Sequence, residues 1–137
     1  LATIERITND MFTGDRSFVL DEVEGGWGIN GMQMDMTRID ETIEFGASER
    51  WTITARDGIH TFHTHQTMFQ ILEIDGWPPP SEDSGWEDNV LVPEGSTVVI
   101  AARFDSYTNP NTPYMFHCHI LDHEDTGMMG QFQVIEN

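Results

Sequence analysis

The histidines of this 137-residue chain are confined to two short windows. The windows also contain the single cysteine, and their metal-ligating residues are His60, His63 and His65, then His117, Cys118, His119 and His123. Imidazole nitrogen and thiolate sulfur are the usual protein ligands of zinc and copper. Structural histidines placed independently would be scattered along the chain. The clustering therefore predicts a metal site.

The spacing within the windows divides these ligands into two sets. Successive side chains of a β-strand point to opposite faces, so His117 and His119 share a face while Cys118 points to the other. His63 and His65 also share a face, and the remaining histidine of their window lies at an odd spacing and can point away. Two sets are predicted: Cys118, His60 and His123; and His63, His65, His117 and His119.

The set with the cysteine has the outline of a mononuclear copper site. Two imidazoles, a thiolate and a weak thioether are the ligands of a blue-copper electron-transfer centre. The spacing Cys118-x4-His123-x4-Met128 offers Met128 as the thioether, with Met129 as the alternative, and Gly127 lets the backbone turn there. Zinc is disfavoured, because zinc sites usually take two or more cysteines, or histidines with a carboxylate.

The second set supplies four imidazoles on the other side of Cys118. Four imidazoles are half of what a trinuclear cluster of imidazole-bound coppers needs, and the chain has no seventh histidine. The remaining ligands are therefore expected from another domain or another chain.

These ligands require strands to position them. Turn residues interrupt the chain at short intervals, and β-branched and aromatic residues fill the segments between them. Asn30-Gly31 and Asp57-Gly58 are signals of the kind that close hairpins, Leu1–Met11 fits a short helix, and Asp75–Asn89 reads as a long loop. The predicted strands are Ser17–Leu20, Trp27–Ile29, Thr42–Phe45, Arg50–Ala55, Phe69–Ile74, Val90–Val92, Thr97–Arg103, Tyr114–Cys118 and Gln131–Ile135.

Many short strands predict an all-β protein with a single domain, an antiparallel Greek-key sandwich or barrel. Residues 17–137 would form this copper-binding domain, with residues 1–16 as an N-terminal linker or short helix packed on it. A lone cysteine excludes an intrachain disulfide, and no apolar run is long enough to cross a bilayer.

The charge excludes a class of partner. Six basic against 24 acidic side chains give a net charge of −18, and lysine is absent. Nucleic-acid binding is not expected, because such proteins meet phosphates with clustered lysine and arginine. The surplus of carboxylates fits an exported acidic domain, extracellular or periplasmic, or a protein from a salty environment. Since Leu1 is not an initiator residue, either a leader has been removed or this is one piece of a longer polypeptide.

At two motifs the sequence resembles the C-terminal cupredoxin domain of multicopper oxidases such as laccases. The segment from His60 to His65, His-Thr-Phe-His-Thr-His, is similar to the family's His-Pro-x-His-Leu-His. The segment from His117 to Met128, His-Cys-His-Ile-Leu-Asp-His-Glu-Asp-Thr-Gly-Met, matches its C-terminal signature. Weaker likeness extends from about Phe18 to Val134.

The resemblance implies a role for each ligand. Type 1 copper would accept electrons from a reducing substrate and pass them through His117-Cys118-His119 to a trinuclear cluster, where oxygen becomes water. Glu124 would help to deliver protons; the alternative is an exposed acidic turn residue. The implied ligands are His60, Cys118, His123 and Met128 for type 1 copper, His63 for type 2 copper, and His65, His117 and His119 for the type 3 pair.

The donor and the partner follow from the same resemblance. Arg56 and Gly58 stand where cuprous oxidases usually have Asp and Met, which favours a phenolic or other organic donor over Cu(I). Thr61, replacing the usual Pro, touches packing only, and the alternating methionines at 32, 34 and 36 are interpreted as packing residues. The hypothesis is a laccase-like oxidase completed by an N-terminal cupredoxin domain or an oligomer mate. The alternatives are a stand-alone blue-copper electron-transfer cupredoxin and, less favoured, an inactive structural domain.

Overall fold

The computed structural model describes residues 12–23, 26–33, 35, 37–65, 67–80, 85–104, 114–118 and 127–135. These residues form strands and no helix, so none of them belongs to a helix that could cross a membrane. The all-β prediction is confirmed. The strands are β1 Gly14–Val23, β2 Gly26–Ile29, β3 Glu41–Glu44, β4 Ala47–Ala55, β5 His60–Thr64, β6 Phe69–Ile74, β7 Trp86–Glu87, β8 Asn89–Val92, β9 Thr97–Phe104, β10 Tyr114–Cys118 and β11 Met129–Ile135.

Every predicted strand overlaps an observed one, while β5 and β7 were not among the predicted strands. The long-loop prediction for Asp75–Asn89 is wrong at Trp86–Glu87, which pair with Phe69 and Gln70 of β6. At the N-terminus, the helix predicted over Leu1–Met11 lies outside the described residues. Residues 14–16, expected in the N-terminal linker, belong to β1 and pair with β4.

The strands form two sheets that pack face to face. The six-stranded sheet has the order β2-β1-β4-β9-β6-β7, and the five-stranded sheet has the order β3-β11-β10-β5-β8. Pairing is mostly antiparallel, as predicted, but β1 pairs with β4 and β11 pairs with β3 in parallel. Parallel neighbours require a crossover; the chain makes one by placing β3 in the other sheet before it returns beside β1.

The two predicted turns differ in what they connect. Asn30 and Gly31, with φ of 54° and 78°, close a two-residue hairpin in which Ile29 and Met32 exchange backbone hydrogen bonds. Asp57 and Gly58 also have positive φ, 56° and 122°. The hairpin predicted there is wrong, because β4 belongs to the six-stranded sheet and β5 to the five-stranded sheet. This turn carries the chain from one sheet to the other, directly before the first histidine window.

Aromatic side chains fill the space between the sheets. The Phe18 ring centroid lies 4.8 Å from that of Trp51 and 4.9 Å from that of Phe116 across the sandwich. Phe62 and Phe132 extend the same cluster, and all five rings are buried. Tilted and edge-on contacts of this kind add to the free energy of simple burial. The core therefore fixes β5 and β10, the strands that carry both histidine windows, against the opposite sheet.

A second set of contacts joins the sheets near the start of β1. The Arg16 guanidinium forms ion pairs with Glu41 of β3 and Glu49 of β4 and donates to the Thr42 carbonyl. Glu49 is buried and also accepts a hydrogen bond from the indole of Trp51 at 2.9 Å. Burial raises the pKa of Glu41, although Arg16 beside it opposes that shift. Pairing compensates the buried charges, and this end of the sandwich is held by polar contacts.

Candidate metal centre

Two neighbouring antiparallel strands, β5 and β10, carry the described ligands. Their register pairs His117 with His63 and Cys118 with Phe62. Cys118 and Phe62 lie among the buried core residues, so the cysteine points between the sheets. Because side chains alternate along a strand, His117 and His63 point to the outer face of the five-stranded sheet. The two windows therefore contribute to two clusters on opposite sides of one sheet.

The inner cluster contains His60, Cys118 and Met128, each 0% exposed. The Nδ1 atom of His60 lies 3.7 Å from the Sγ atom of Cys118. The Met128 backbone lies beside that of Cys118, since its carbonyl accepts a hydrogen bond from the backbone N–H of Cys118 at 3.0 Å. Met129, the alternative thioether, pairs with His117 and is only partly buried. This register favours Met128 as the inner methionine.

Backbone contacts orient the His60 ring. Its Nε2 lies 2.8 Å from the Arg56 carbonyl, which only accepts hydrogen bonds, so Nε2 carries the proton and Nδ1 presents a lone pair toward Cys118. The turn at Asp57 and Gly58, between Arg56 and His60 in the chain, accompanies the placement of that carbonyl beside Nε2. On another side, the Trp27 ring meets the His60 ring at 71°, with centroids 5.3 Å apart. No sequence pattern indicated the Arg56 or Trp27 contact.

The geometry of the inner cluster fits a transition metal. Metal–nitrogen and metal–sulfur bonds of about 2.05 and 2.3 Å, at an angle of about 110–120°, place the two donor atoms about 3.6–3.8 Å apart. The observed separation between His60 Nδ1 and Cys118 Sγ is 3.7 Å. A buried set of imidazole, thiolate and thioether donors suits copper better than zinc, since thioether sulfur is a soft ligand.

The outer cluster consists of His63, His65 and His117. Their ring centroids are 5.0–5.2 Å apart, and one ring nitrogen from each lies within 4.8 Å of the others. Nε2 of His65 is 3.0 Å from Nε2 of His117. His63 and His65 are partly exposed, in contrast to the inner ligands. Three imidazoles thus converge on the outer side of the sheet, two of them partly exposed and His117 buried, in an arrangement that suits a metal ion.

Backbone carbonyls also set the orientation of the outer rings. The His63 Nδ1 atom lies 2.8 Å from the Asp88 carbonyl, and the His117 Nδ1 atom lies 3.0 Å from the Cys118 carbonyl. Each carbonyl accepts the Nδ1 proton, so the lone pair of each ring is on Nε2. Fixing the tautomer through the second nitrogen is the usual support of metal-binding histidines. The Asp88 contact was not predicted.

Some predicted site residues lie outside the described part of the chain: His119, His123 and Glu124, as well as Met34 and Met36. Met32, the first methionine of that alternating series, is described and is 45% exposed. Among the described residues, His60, Cys118 and Met128 are buried on the inner side of the sheet, and His63, His65 and His117 lie on its outer side.

A two-sheet β-sandwich with a buried histidine–cysteine–methionine cluster defines a cupredoxin-like metalloprotein domain. Comparison with known proteins gives the family: residues 2–137 match the family model described as multicopper oxidase. The chain belongs to the multicopper oxidase family, a family of copper-dependent oxidoreductases.

Individual relatives agree with this assignment. Multicopper oxidase mco of Staphylococcus haemolyticus is 42% identical over 77% of this chain and 24% of its own length. Cell division protein FtsP of Escherichia coli is 38% identical over 78% of this chain and 22% of its own length. The structure of the laccase-like multi-copper oxidase CueO from Ochrobactrum sp. superposes with a TM-score of 0.88 at 33% identity, over 98% of this chain and 33% of that one. The chain thus spans about a fifth to a third of the length of these relatives.

Proposed function

We propose that this chain is the electron-accepting domain of a laccase-like copper oxidase. The observation that supports the proposal is the two-sided placement of the ligands, with His60 and Cys118 between the sheets and His63, His65 and His117 outside them. A protein that only transfers electrons needs the inner cluster alone. The outer imidazoles have a use only where a second metal centre performs further chemistry.

The inner cluster would hold type 1 copper. His60, Cys118 and Met128 would bind it together with His123, which the sequence places five residues after the cysteine. Copper bound there would supply a one-electron redox couple, and copper in the outer cluster would supply oxygen reduction to water. The chain itself excludes water from the inner ligands, holds the His60 tautomer through the Arg56 carbonyl, and links the clusters covalently through consecutive residues of β10.

The outer cluster would be completed by a partner. His63 would bind type 2 copper, and His65, His117 and His119 would bind the type 3 pair. His63 and His65 are partly exposed on the outer face of the sheet. Because the four imidazoles are only half of a trinuclear set, we infer an N-terminal cupredoxin domain of the same enzyme, or an oligomer mate, as the source of the rest. Glu124 would deliver protons to the oxygen being reduced.

The proposal also covers the donor substrate and the location of the enzyme. We infer a small phenolic or other organic donor rather than Cu(I), since Arg56 and Gly58 replace the acidic and thioether residues expected for the metal ion. The net charge of −18 supports an exported protein that is kept soluble by self-repulsion.

Oxygen uptake with a phenolic donor tests the proposal. The copper-loaded chain is measured alone and after mixing with a cupredoxin domain that carries the complementary histidines. Uptake should require the mixture, and it should be lost in both His60→Ala and His65→Ala, because one variant blocks electron entry and the other blocks the cluster. A blue, reducible chain whose oxygen uptake never exceeds that of Cys118→Ser in any mixture would favour electron transfer alone.

A further inference from the structure

Trp27 links the buried inner cluster to the protein surface. His60, Cys118 and Met128 are each 0% exposed, so a donor molecule in solution touches none of them. Trp27 is partly exposed, and its ring meets the His60 ring at 71° with centroids 5.3 Å apart. The ring therefore contacts a prospective copper ligand, and the residue that carries it keeps part of its surface open to solvent.

The fold holds this indole in place. Trp27 lies on β2, an edge strand of the six-stranded sheet, where it is paired with Glu22 of β1 and packs against the core. A methyl group added to Gly127 would lie 3.1 Å from the Trp27 carbonyl, so β2 also contacts the residue that precedes Met128. The Trp27 ring therefore contacts the candidate ligand His60, and the Trp27 carbonyl lies close to Gly127, the residue before the candidate ligand Met128.

A partly exposed indole is a suitable surface for an aromatic molecule. Aromatic rings associate in offset or edge-on geometry, and tryptophan offers the largest ring for this contact. We propose that Trp27 is the substrate-positioning residue on which a phenolic donor docks, next to His60. This inference rests on the proposed function. With copper bound at the inner cluster, a phenol held there would give one electron to that copper and its hydroxyl proton to water, which would leave a phenoxyl radical.

The anaerobic rate at which donors bleach the blue colour of the copper-loaded chain tests the proposal. Trp27→Leu removes the ring and should slow reduction by hydroquinone about threefold to tenfold, the contribution of one aromatic contact. Trp27→Phe keeps a ring and should retain most of the rate. Hexaammineruthenium(II), which has no aromatic ring to stack, should reduce all variants at the wild-type rate.

Trp77→Leu is the matched control. Trp77 is 76% exposed and follows β6, near the edge of the six-stranded sheet opposite to β2. If any exposed indole could serve as the docking site, this substitution would also slow reduction by hydroquinone. We expect the reduction rate of Trp77→Leu to equal that of the wild type.

A measurement on the metal-free chain gives a readout that does not depend on copper. Titration with phenol should shift the indole N–H resonance of Trp27, identified by its absence in Trp27→Phe, more than that of Trp77. An unshifted Trp27 resonance would overturn the proposal even if Trp27→Leu failed to fold. An equal loss of rate with hydroquinone and hexaammineruthenium(II) would also overturn it, because the indole would then serve only to support the site. By contrast, a wild-type chain that binds copper without blue colour would overturn the proposed function itself.

Discussion

The inner and outer clusters use the same two strands but differ in everything that surrounds them. Cys118 and His60 lie among core side chains and are 0% exposed. His63 and His65, on the other face of the sheet, are partly exposed. A shift of one residue along β5 or β10 would exchange the two environments, because side chains alternate between the faces.

This difference in burial indicates how far each metal site is formed by this chain alone. An inner ligand is held by the packing of both sheets, so its position is a consequence of folding. An outer ligand is held by its own strand and by a backbone carbonyl, as His63 is by Asp88. We therefore expect the inner cluster to bind metal without help and to be sensitive to core substitutions. The outer cluster should depend on a partner surface instead.

The largest expected effect is the loss of colour in Cys118→Ser. A thiolate ligand gives copper an intense visible charge-transfer absorption, and a serine hydroxyl does not. The visible spectrum of the copper-loaded variant should therefore lack the band altogether. His63→Ala, which removes an imidazole from the other face, should keep the band. A colourless wild-type adduct, or a Cys118→Ser variant that stays blue, would break the distinction between the two clusters.

The second-largest expected effect is on the amount of copper that the chain retains after dialysis against a chelator, which should distinguish inner-cluster from outer-cluster variants. With a complete ligand set only in the inner cluster, the chain alone should retain about one copper. His60→Ala should retain almost none, whereas His65→Ala should match the wild type. Elemental analysis combined with native mass measures both metal content and assembly. About four coppers per chain in a defined oligomer would show that copies of the chain complete the outer cluster.

Substitutions on the two faces of β10 should differ in their effect on stability. Phe116 packs against Phe18 and Trp51, so Phe116→Ala should lower the free energy of unfolding by about 3–5 kcal/mol. Met115 precedes it and is partly exposed, and Met115→Ala should cost about 1 kcal/mol or less. Urea denaturation of the metal-free variants gives both values. Similar losses at the two positions would mean that the outer face is as tightly packed as the inner one.

Strand alternation made the two ligand sets predictable from the sequence. The period of two assigns faces within His63-Thr-His65 and His117-Cys118-His119 without any knowledge of the sheets. Contacts made across the sandwich were not predictable in this way. The approach of Trp27 to His60 depends on how an edge strand of one sheet packs beside the other sheet, and no local pattern encodes that.

The two turns also show that a local sequence pattern does not determine how distant strands pair. Asn30-Gly31 and Asp57-Gly58 have the same turn chemistry, with positive φ at both residues of each pair. Only the first closes a hairpin, because turn chemistry sets the reversal of the chain but not the sheet that the next strand joins. Trp86–Glu87 was missed for a related reason. A two-residue strand after a proline-rich segment is defined by its pairing with β6 and not by a pattern of its own.

A smaller effect than that of Phe116→Ala tests how closely β10 and β11 must approach on the inner face. A methyl group added to Gly130 would lie 2.4 Å from Cζ of the Phe116 ring, closer than real contacts allow. Gly130→Ala should therefore lower the free energy of unfolding by about 1–3 kcal/mol, with an unchanged dependence on denaturant concentration. The smaller side chain of Phe116→Leu should relieve part of this loss, so the double variant should be more stable than the sum of the single effects predicts. Strict additivity would mean that the ring moves aside without cost, and the inner face would then be as adaptable as the outer one.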